Sequence, residues 1–369
     1  MSTLGIGIVG AGWMGNVHAE GWHQNAPDAR VVAVADVSAP RARQIVDLHT
    51  GGDVAIHPDI DALLADPRVD AVDICLPHHL HLPAIVAAAR AGKAILSEKP
   101  LCTSFAELNE IGAVLEETGA ILMVAHNQLF APSVVEARRM LRIGAFGRPY
   151  VVRSVEAGQN RRFGTGWMPV RMPDGVAPWG WRLDPGKMGG GEVLDTGWHG
   201  IYRLIALADD RPVEVFAYMN RYLLEQLPTE DTGALLVRFA SGMIGELLTS
   251  WAFGLVGGAK FEVAAEFGSL AGTDDVLSHQ FHGWSQPVEQ RFPPVNSFAA
   301  ELGHFVEVVR GTAEPEASFR HAARVLQVVD AAYRSVESGC AVVLPEDPTV
   351  PGEPATSSPV APTWQDARA

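Results

Sequence analysis

Lys99, Asp195 and His199 are the side chains whose types and spacing suit catalysis. The run Gly189-Gly190-Gly191-Glu192-Val193-Leu194-Asp195-Thr196-Gly197-Trp198-His199 puts a glycine-rich turn before a helix. On that helix Asp195 and His199 are spaced i and i+4, so both leave one face. An imidazole with an unperturbed pKa near ~6.5 is largely neutral at physiological pH and can take the proton of an alcohol. A carboxylate one turn away can orient it or bind a substrate, although the spacing equally fits a helix face with a satisfied histidine. Lys99 lies in Glu98-Lys99-Pro100, directly after the apolar run Ala94-Ser97. If that run is a parallel strand, Lys99 sits at its carboxyl end, where ligands of open α/β sheets bind. An ammonium there can stabilise a developing alkoxide. Pro100 removes a backbone donor and fixes the chain direction, and a cis peptide before it would aim Lys99 inward. Taken alone, the tripeptide also fits a surface lysine in a βα turn.

The elements that must position these groups begin at the N-terminus. Gly10-Ala11-Gly12-Trp13-Met14-Gly15 is a G-x-G-x-x-G directly after a strand pattern and opening a helical one. The first glycine permits the turn, the second lets the backbone approach a pyrophosphate, and the third allows close helix–strand contact. Asp36 ends the second strand, where a carboxylate accepts from the ribose hydroxyls and repels a 2′-phosphate, so NAD is the expected cofactor. Arg41 and Arg43 on the following helix keep NADP open.

Up to about residue 125, the buried-strand patterns Gly5-Val9, Val31-Ala35, Ala71-Leu76, Ala94-Ser97 and Ile121-Ala125 alternate with helical spacing in Gly12-Asn25, Arg41-Leu48, Leu80-Ala91 and Glu107-Thr118. Beyond residue 130 the helix Val134-Leu141 leads to longer alternating strands, Tyr150-Ala157 and Val213-Tyr222, and a hairpin around Ser241-Gly242. Two helices, Phe298-Val309 and Arg320-Ser338, follow. The expected fold is α/β, with an N-terminal Rossmann domain and a C-terminal α+β domain built on a large open, mostly antiparallel sheet. The expected boundaries are 1–128 for dinucleotide binding, 129–345 for substrate binding and oligomerisation, and 346–369 for a flexible Pro-rich tail.

Composition limits the partners. A net charge of −15 argues against nucleic acid and anionic membrane surfaces, leaving a small molecule as the default ligand. No apolar run is long enough to span a bilayer, and a strand pattern begins right after Met1-Ser2-Thr3, which reads as cytoplasmic. Cys75, Cys102 and Cys340 neither frame disulfides nor show metal spacing and are expected to be reduced and buried. No His/Cys/Asp cluster has ligand spacing, so no metal is expected.

The fingerprint, Glu98-Lys99-Pro100 and Gly-Gly-x-x-x-Asp-x-Gly-x-His (Gly190 to His199) together resemble the Gfo/Idh/MocA oxidoreductases over residues 4 to about 345. Leu76-Pro77-His78, Leu80-His81, Ala91-Gly92-Lys93 and Trp181-Arg182 support the match. The resemblance implies oxidation of a sugar or cyclitol hydroxyl, a homodimer or homotetramer joined through the sheet, and a catalytic group of Lys99, Asp195 and His199. It also implies cofactor contacts from Pro77, His78, Glu98, Asn127 and Arg182, with His81 beside them. Asn127-Gln128-Leu129-Phe130 departs from the basic residues usual after that Asn. Members of similar fold also act as glycosidases that oxidise, eliminate, add water and reduce again, and the residues fit both chemistries. A cofactor-bound protein without turnover is disfavoured by the presence of the whole catalytic group.

Between Gly158 and Gly191 the cations Arg161, Arg162, Arg171, Arg182 and Lys187 face only Asp174 and Asp184. Trp167, Trp179 and Trp181 in the same stretch suit the C–H face of a pyranose. Arg161, Arg162, Trp167 and Trp179 are therefore expected to bind substrate, including a sugar with an anionic group. The arginines fit the cofactor pyrophosphate or a neighbouring subunit equally well.

Overall fold

The computed structural model describes residues 3–25, 28–158, 172–176, 179–254 and 258–354. Strands β1 (Leu4–Val9), β2 (Ala29–Ala35), β3 (Ala55–His57), β4 (Ala71–Ile74), β5 (Ala94–Glu98) and β6 (Leu122–Ala125) form a parallel sheet in the order β3-β2-β1-β4-β5-β6. Their crossovers carry α1 (Trp13–Gln24), α2 (Ala39–Ile45), α3 (Ile60–Leu64), α4 (His81–Arg90) and α5 (Phe105–Thr118). Ile6, Ile8, Val72, Ile74, Ile95 and Leu96 are buried because helices cover both faces. The caps show how local sequence sets the boundaries. Ser104 Oγ accepts the Glu107 N–H, Glu107 Oε2 accepts the Thr103 N–H in return, and Gly119 closes α5 at φ 66°. The edge strand β3 was not expected, since Ala55-Ile56-His57 is too short to show a period.

The second layer opens with α6 (Pro132–Arg142) and β7 (Pro149–Ala157), then α7 (Pro185–Met188), α8 (Glu192–Asp195) and α9 (Gly197–Ala208). The remaining strands are β8 (Pro212–Asn220), β9 (Thr232–Phe239), β10 (Ile244–Ser250), β11 (Phe261–Ala265), β12 (Gly268–Gly272), β13 (Val276–Phe281), β14 (Val288–Arg291), β15 (Val342–Val343) and β16 (Glu353–Pro354). They build a 10-stranded sheet in the order β14-β13-β12-β11-β7-β10-β9-β8-β15-β16, antiparallel except where β7 and β10 run parallel. Leu235, Val237, Phe239 and Leu247 point inward, and α9 and α11 (Phe319–Ser338) pack against the sheet. The opposite face carries exposed Tyr218, Leu236 and Ile244.

Helix α10 (Ser297–Val309) crosses back to the first sheet. Its Leu302, Phe305, Val306 and Val308 share one buried cluster with Ile6, Ile8 and Trp22, and Asn25 Nδ2 donates to the Ala299 carbonyl at 2.8 Å. The expected boundary at 128/129 therefore does not divide the packing, because residues 297–309 complete the dinucleotide domain. Cys75 and Cys102 are free and buried as expected, but Cys340 is partly exposed. Among the described residues no helix is long and apolar enough to cross a membrane.

Candidate active site

A cleft of about 1310 Å³ runs along the carboxyl ends of the first sheet and beneath the second. Gly10, Gly12, Trp13, Met14, Asp36, Pro77, His78, Glu98, Lys99 and Asn127 line it from the first domain. Glu156, Trp179, Trp181, Arg182, Asp195, Thr196, His199 and Lys260 line it from the second. The glycine turn fits a dinucleotide. Gly10 sits at φ +102°, a Cβ on Gly12 would meet nothing within 4 Å and would project into open space, and one on Gly15 would lie 2.1 Å from the Gly10 carbonyl. Asp36 Oδ2 accepts the Ala11 N–H and Oδ1 the Ser38 N–H, each at 2.7 Å, which fixes the carboxylate beside the turn.

Strand β5 and helix α8 bring the catalytic candidates together. Lys99, before a cis peptide to Pro100, donates from Nζ to Asp195 Oδ1 at 2.7 Å and to the Asp195 carbonyl at 2.9 Å. Arg182 Nε donates to Asp195 Oδ2 at 2.5 Å, and His78 Nε2 lies 3.9 Å from Oδ1. Burial opposes ionisation of Asp195, yet Arg182 and Lys99 override it and hold the carboxyl well below its usual range. His199 Nδ1 is 2.7 Å from the Tyr202 hydroxyl, while burial, reinforced by Lys99, pushes its pKa well below 6.5. The expected carboxylate–imidazole pair is thus replaced by two separate partnerships. Asp195 ends α8 and His199 lies in α9, with Thr196 between, so the carboxylate turns to Lys99 and Arg182 and the ring to Tyr202.

Other expected residues are placed differently. Gly15 backs the turn from below, and His81 is fully buried, with Nδ1 2.7 Å from the Pro100 carbonyl and Nε2 2.9 Å from that of Leu76. His81 therefore ties together the loops that carry His78 and Lys99 instead of reaching the cleft. Trp179 meets the edge of Trp13 at 5.5 Å, beside the glycine turn. Arg161, Arg162, Arg171 and Trp167 lie outside the described residues. Arg182 is engaged by Asp195, and Lys187 lies 3.5 Å from Asp184.

Beneath β4 the fold gathers His18, Asp73 and Cys75, a group that sequence spacing hid. Asp73 accepts from His18 Nδ1 at 3.0 Å and Trp22 Nε1 at 2.7 Å, with the Cys75 thiol at 3.5 Å. These donors already satisfy the carboxylate.

The residues missed by sequence reasoning surround His199. Tyr202 also accepts the Gln128 N–H at 3.2 Å and stacks on His126 at 4.0 Å. Arg203, 1% exposed, donates to Ser154 Oγ, the Val155 carbonyl, Glu156 Oε2 and Gln128 Oε1. Tyr202 and Arg203 follow His199 at i+3 and i+4, a spacing that could have found them, whereas Glu156 on β7 and Lys260 just before β11 are far away in the chain and left no local signal.

Fold and cleft define a two-domain, dinucleotide-dependent oxidoreductase. Residues 4–126 match the family model described as oxidoreductase family, NAD-binding Rossmann fold, and residues 134–271 match the GFO/IDH/MocA C-terminal domain. The chain belongs to the Gfo/Idh/MocA family, and its cofactor is NAD. It is 29% identical over 305 residues to the 1,5-anhydro-D-fructose reductase of Ensifer adhaerens, covering 79% of this chain and 84% of that one. It is 28% identical over 344 residues to the inositol 2-dehydrogenase of Rhizobium meliloti, covering 90% and 97%. A levoglucosan dehydrogenase solved with NADH and levoglucosan shares the fold at TM-score 0.81 and 21% identity, over 93% of this chain and all of that one, 100%.

Proposed function

We propose that this protein is an NAD-dependent dehydrogenase acting on a hydroxyl of a sugar or cyclitol, with Lys99, Asp195 and His199 as its catalytic group. The reading rests on the Lys99–Asp195–Arg182 ion cluster sharing one cleft with His199 and the glycine turn. NAD, when bound, supplies the hydride acceptor. Burial keeps His199 neutral, so Nε2 accepts the hydroxyl proton while Nδ1 stays on Tyr202. Two of the three Lys99 N–H bonds are taken by Asp195, which leaves one for the oxygen whose charge rises. Glu156 and Gln128 offer an acceptor and a donor for neighbouring hydroxyls, and the names of the curated relatives point to the same polyol class. The protein assembles as a homodimer or homotetramer through the uncovered sheet face.

The test incubates protein and NAD with free sugars, cyclitols, uronates, sulfosugars and aryl glycosides, recording NADH and aglycone together. The charged sugars belong in the panel because Arg161 and Arg162 lie in the same segment as Trp179. Stoichiometric NADH from a polyol supports the dehydrogenase; aglycone release with no NADH accumulation replaces it with the redox-neutral glycosidase. Lys99→Ala and His199→Ala should each lower turnover by on the order of 10² to 10⁴ while leaving NADH affinity within a few-fold. Turnover that survives either change removes that residue from the catalytic group.

A further inference from the structure

Residues 172–176, on the segment between β7 and α7, reach across to the first domain and touch it beside Asp36. Arg41 Nε donates to Asp174 Oδ2 at 2.5 Å, while Arg41 Nη2 donates to Asp174 Oδ1 and to the Val176 carbonyl, both at 3.1 Å. Ser38 joins the two acids: its N–H goes to Asp36 Oδ1 at 2.7 Å and its Oγ donates to Asp174 Oδ2 at 3.1 Å. Asp36, Arg41 and Val176 all line the cleft that holds the glycine turn.

We propose that Asp174 is a specificity-determining residue that enforces NAD over NADP, by occupying Arg41, the arginine that lines the cleft beside Asp36, and setting a second negative charge beside the ribose site. In dinucleotide-binding folds the acid at the end of the second strand selects NAD, and an arginine near it is what accommodates the extra phosphate of NADP. Arg41 is that arginine here, three residues past Ser38, whose N–H anchors Asp36, and its fork is spent on Asp174 in a bidentate pair. A 2′-phosphate would bring close to two negative charges toward Asp36 and Asp174 while finding the guanidinium already engaged. The Arg41 and Asp174 side chains keep 15% and 22% of their surface in water, and Asp174→Asn preserves the side-chain shape, so the variant removes the charge without opening a cavity. The hydrogen bond from Arg41 holds the Asp174 carboxyl below its usual range, so it is charged at neutral pH. Asp36 alone could disfavour NADP; Asp174 additionally cancels the arginine that would otherwise offset that effect. The selection thus comes from the substrate domain.

The inference rests on the cofactor reading above, and the probes separate the two. Calorimetric titration with ADP-ribose and with 2′-phospho-ADP-ribose reads adenosine-end affinity without turnover, on the full chain and on Asp174→Asn, Arg41→Ala and the double variant. Asp174→Asn should raise affinity for the 2′-phosphorylated ligand at least tenfold relative to ADP-ribose, and adding Arg41→Ala should abolish that gain. An unchanged ratio in Asp174→Asn, with both ligands weakened alike, would show that Asp174 only fastens the segment. A gain that survives in the double variant would remove Arg41 from the account. Failure of the unaltered protein to bind ADP-ribose overturns the cofactor reading instead.

Discussion

In the proposed reaction Tyr202 sets which nitrogen of His199 takes the proton. Its oxygen accepts the Gln128 N–H and stands 2.7 Å from His199 Nδ1, so a proton on Nδ1 leaves Nε2 as the base. Tyr202→Phe removes that anchor without changing ring volume. We expect kcat to fall roughly ten- to hundred-fold with KM and NADH affinity nearly unchanged, on the scale of a lost positioning hydrogen bond. The pH profile separates this from a merely structural role. Burial lowers the His199 pKa below 6.5, so in the unaltered enzyme the acid limb of kcat/KM should lie below pH 6.5. The same depression stabilises the fold above that pH and is lost as pH falls through the folded pKa, because the unfolded ring then binds the extra proton. In Tyr202→Phe the acid limb should move; an unmoved limb with undiminished kcat would show that Tyr202 does not act through His199. The three catalytic candidates were legible because each sits in a local motif. Tyr202 had a local signal in its i+3 spacing from His199, but Glu156 and Gln128 had none, since their roles depend on β7 and the turn after β6 meeting α9.

At the scale of elements, α10 is the piece that sequence order misassigned. It lies 170 residues beyond Asn127 in the chain, as the Asn127–Ser297 hydrogen bond measures, yet its apolar face covers Trp22 and the first sheet. Burying Leu302, Phe305, Val306 and Val308 is worth roughly 1.5 to 3 kcal/mol each. Together they contribute on the order of 6 to 12 kcal/mol, comparable to the whole stability of a domain. A fragment of residues 1–128 should therefore bind the apolar dye ANS, unfold without cooperativity and fail to bind ADP-ribose, whereas the full chain shows one cooperative transition and binds it. A fragment that melts cooperatively with native affinity would show that α10 is dispensable. The amphipathic period of Phe298-Val309 revealed a helix with one apolar face; nothing in that period says which sheet receives it, because any apolar surface satisfies the same face.

Across the whole molecule, the helices among the described residues cover one face of the 10-stranded sheet. Tyr218, Leu236 and Ile244 on the other are 72%, 52% and 49% exposed, interleaved with the Arg238–Glu214 and Arg153–Glu246 pairs, the mix of apolar and charged groups that a subunit interface uses. Light scattering should give a dimer or tetramer, and Leu236→Glu with Ile244→Lys should shift it to the monomer mass while far-UV circular dichroism is unchanged. A monomer before substitution would reject assembly through this face. From the sequence alone came the dinucleotide turn, the acid at Asp36, the two-layer architecture and the candidacy of Lys99, Asp195 and His199, since glycine conformations, capping, apolar period and short motifs are local properties. Tertiary structure alone decided that Asp195 answers to Lys99 and Arg182 instead of His199, that α10 belongs under the first sheet, and that Asp174 reaches Arg41. Those pairings join residues far apart in the chain, and only the packed fold selects among the many partners that charge and hydrophobicity allow.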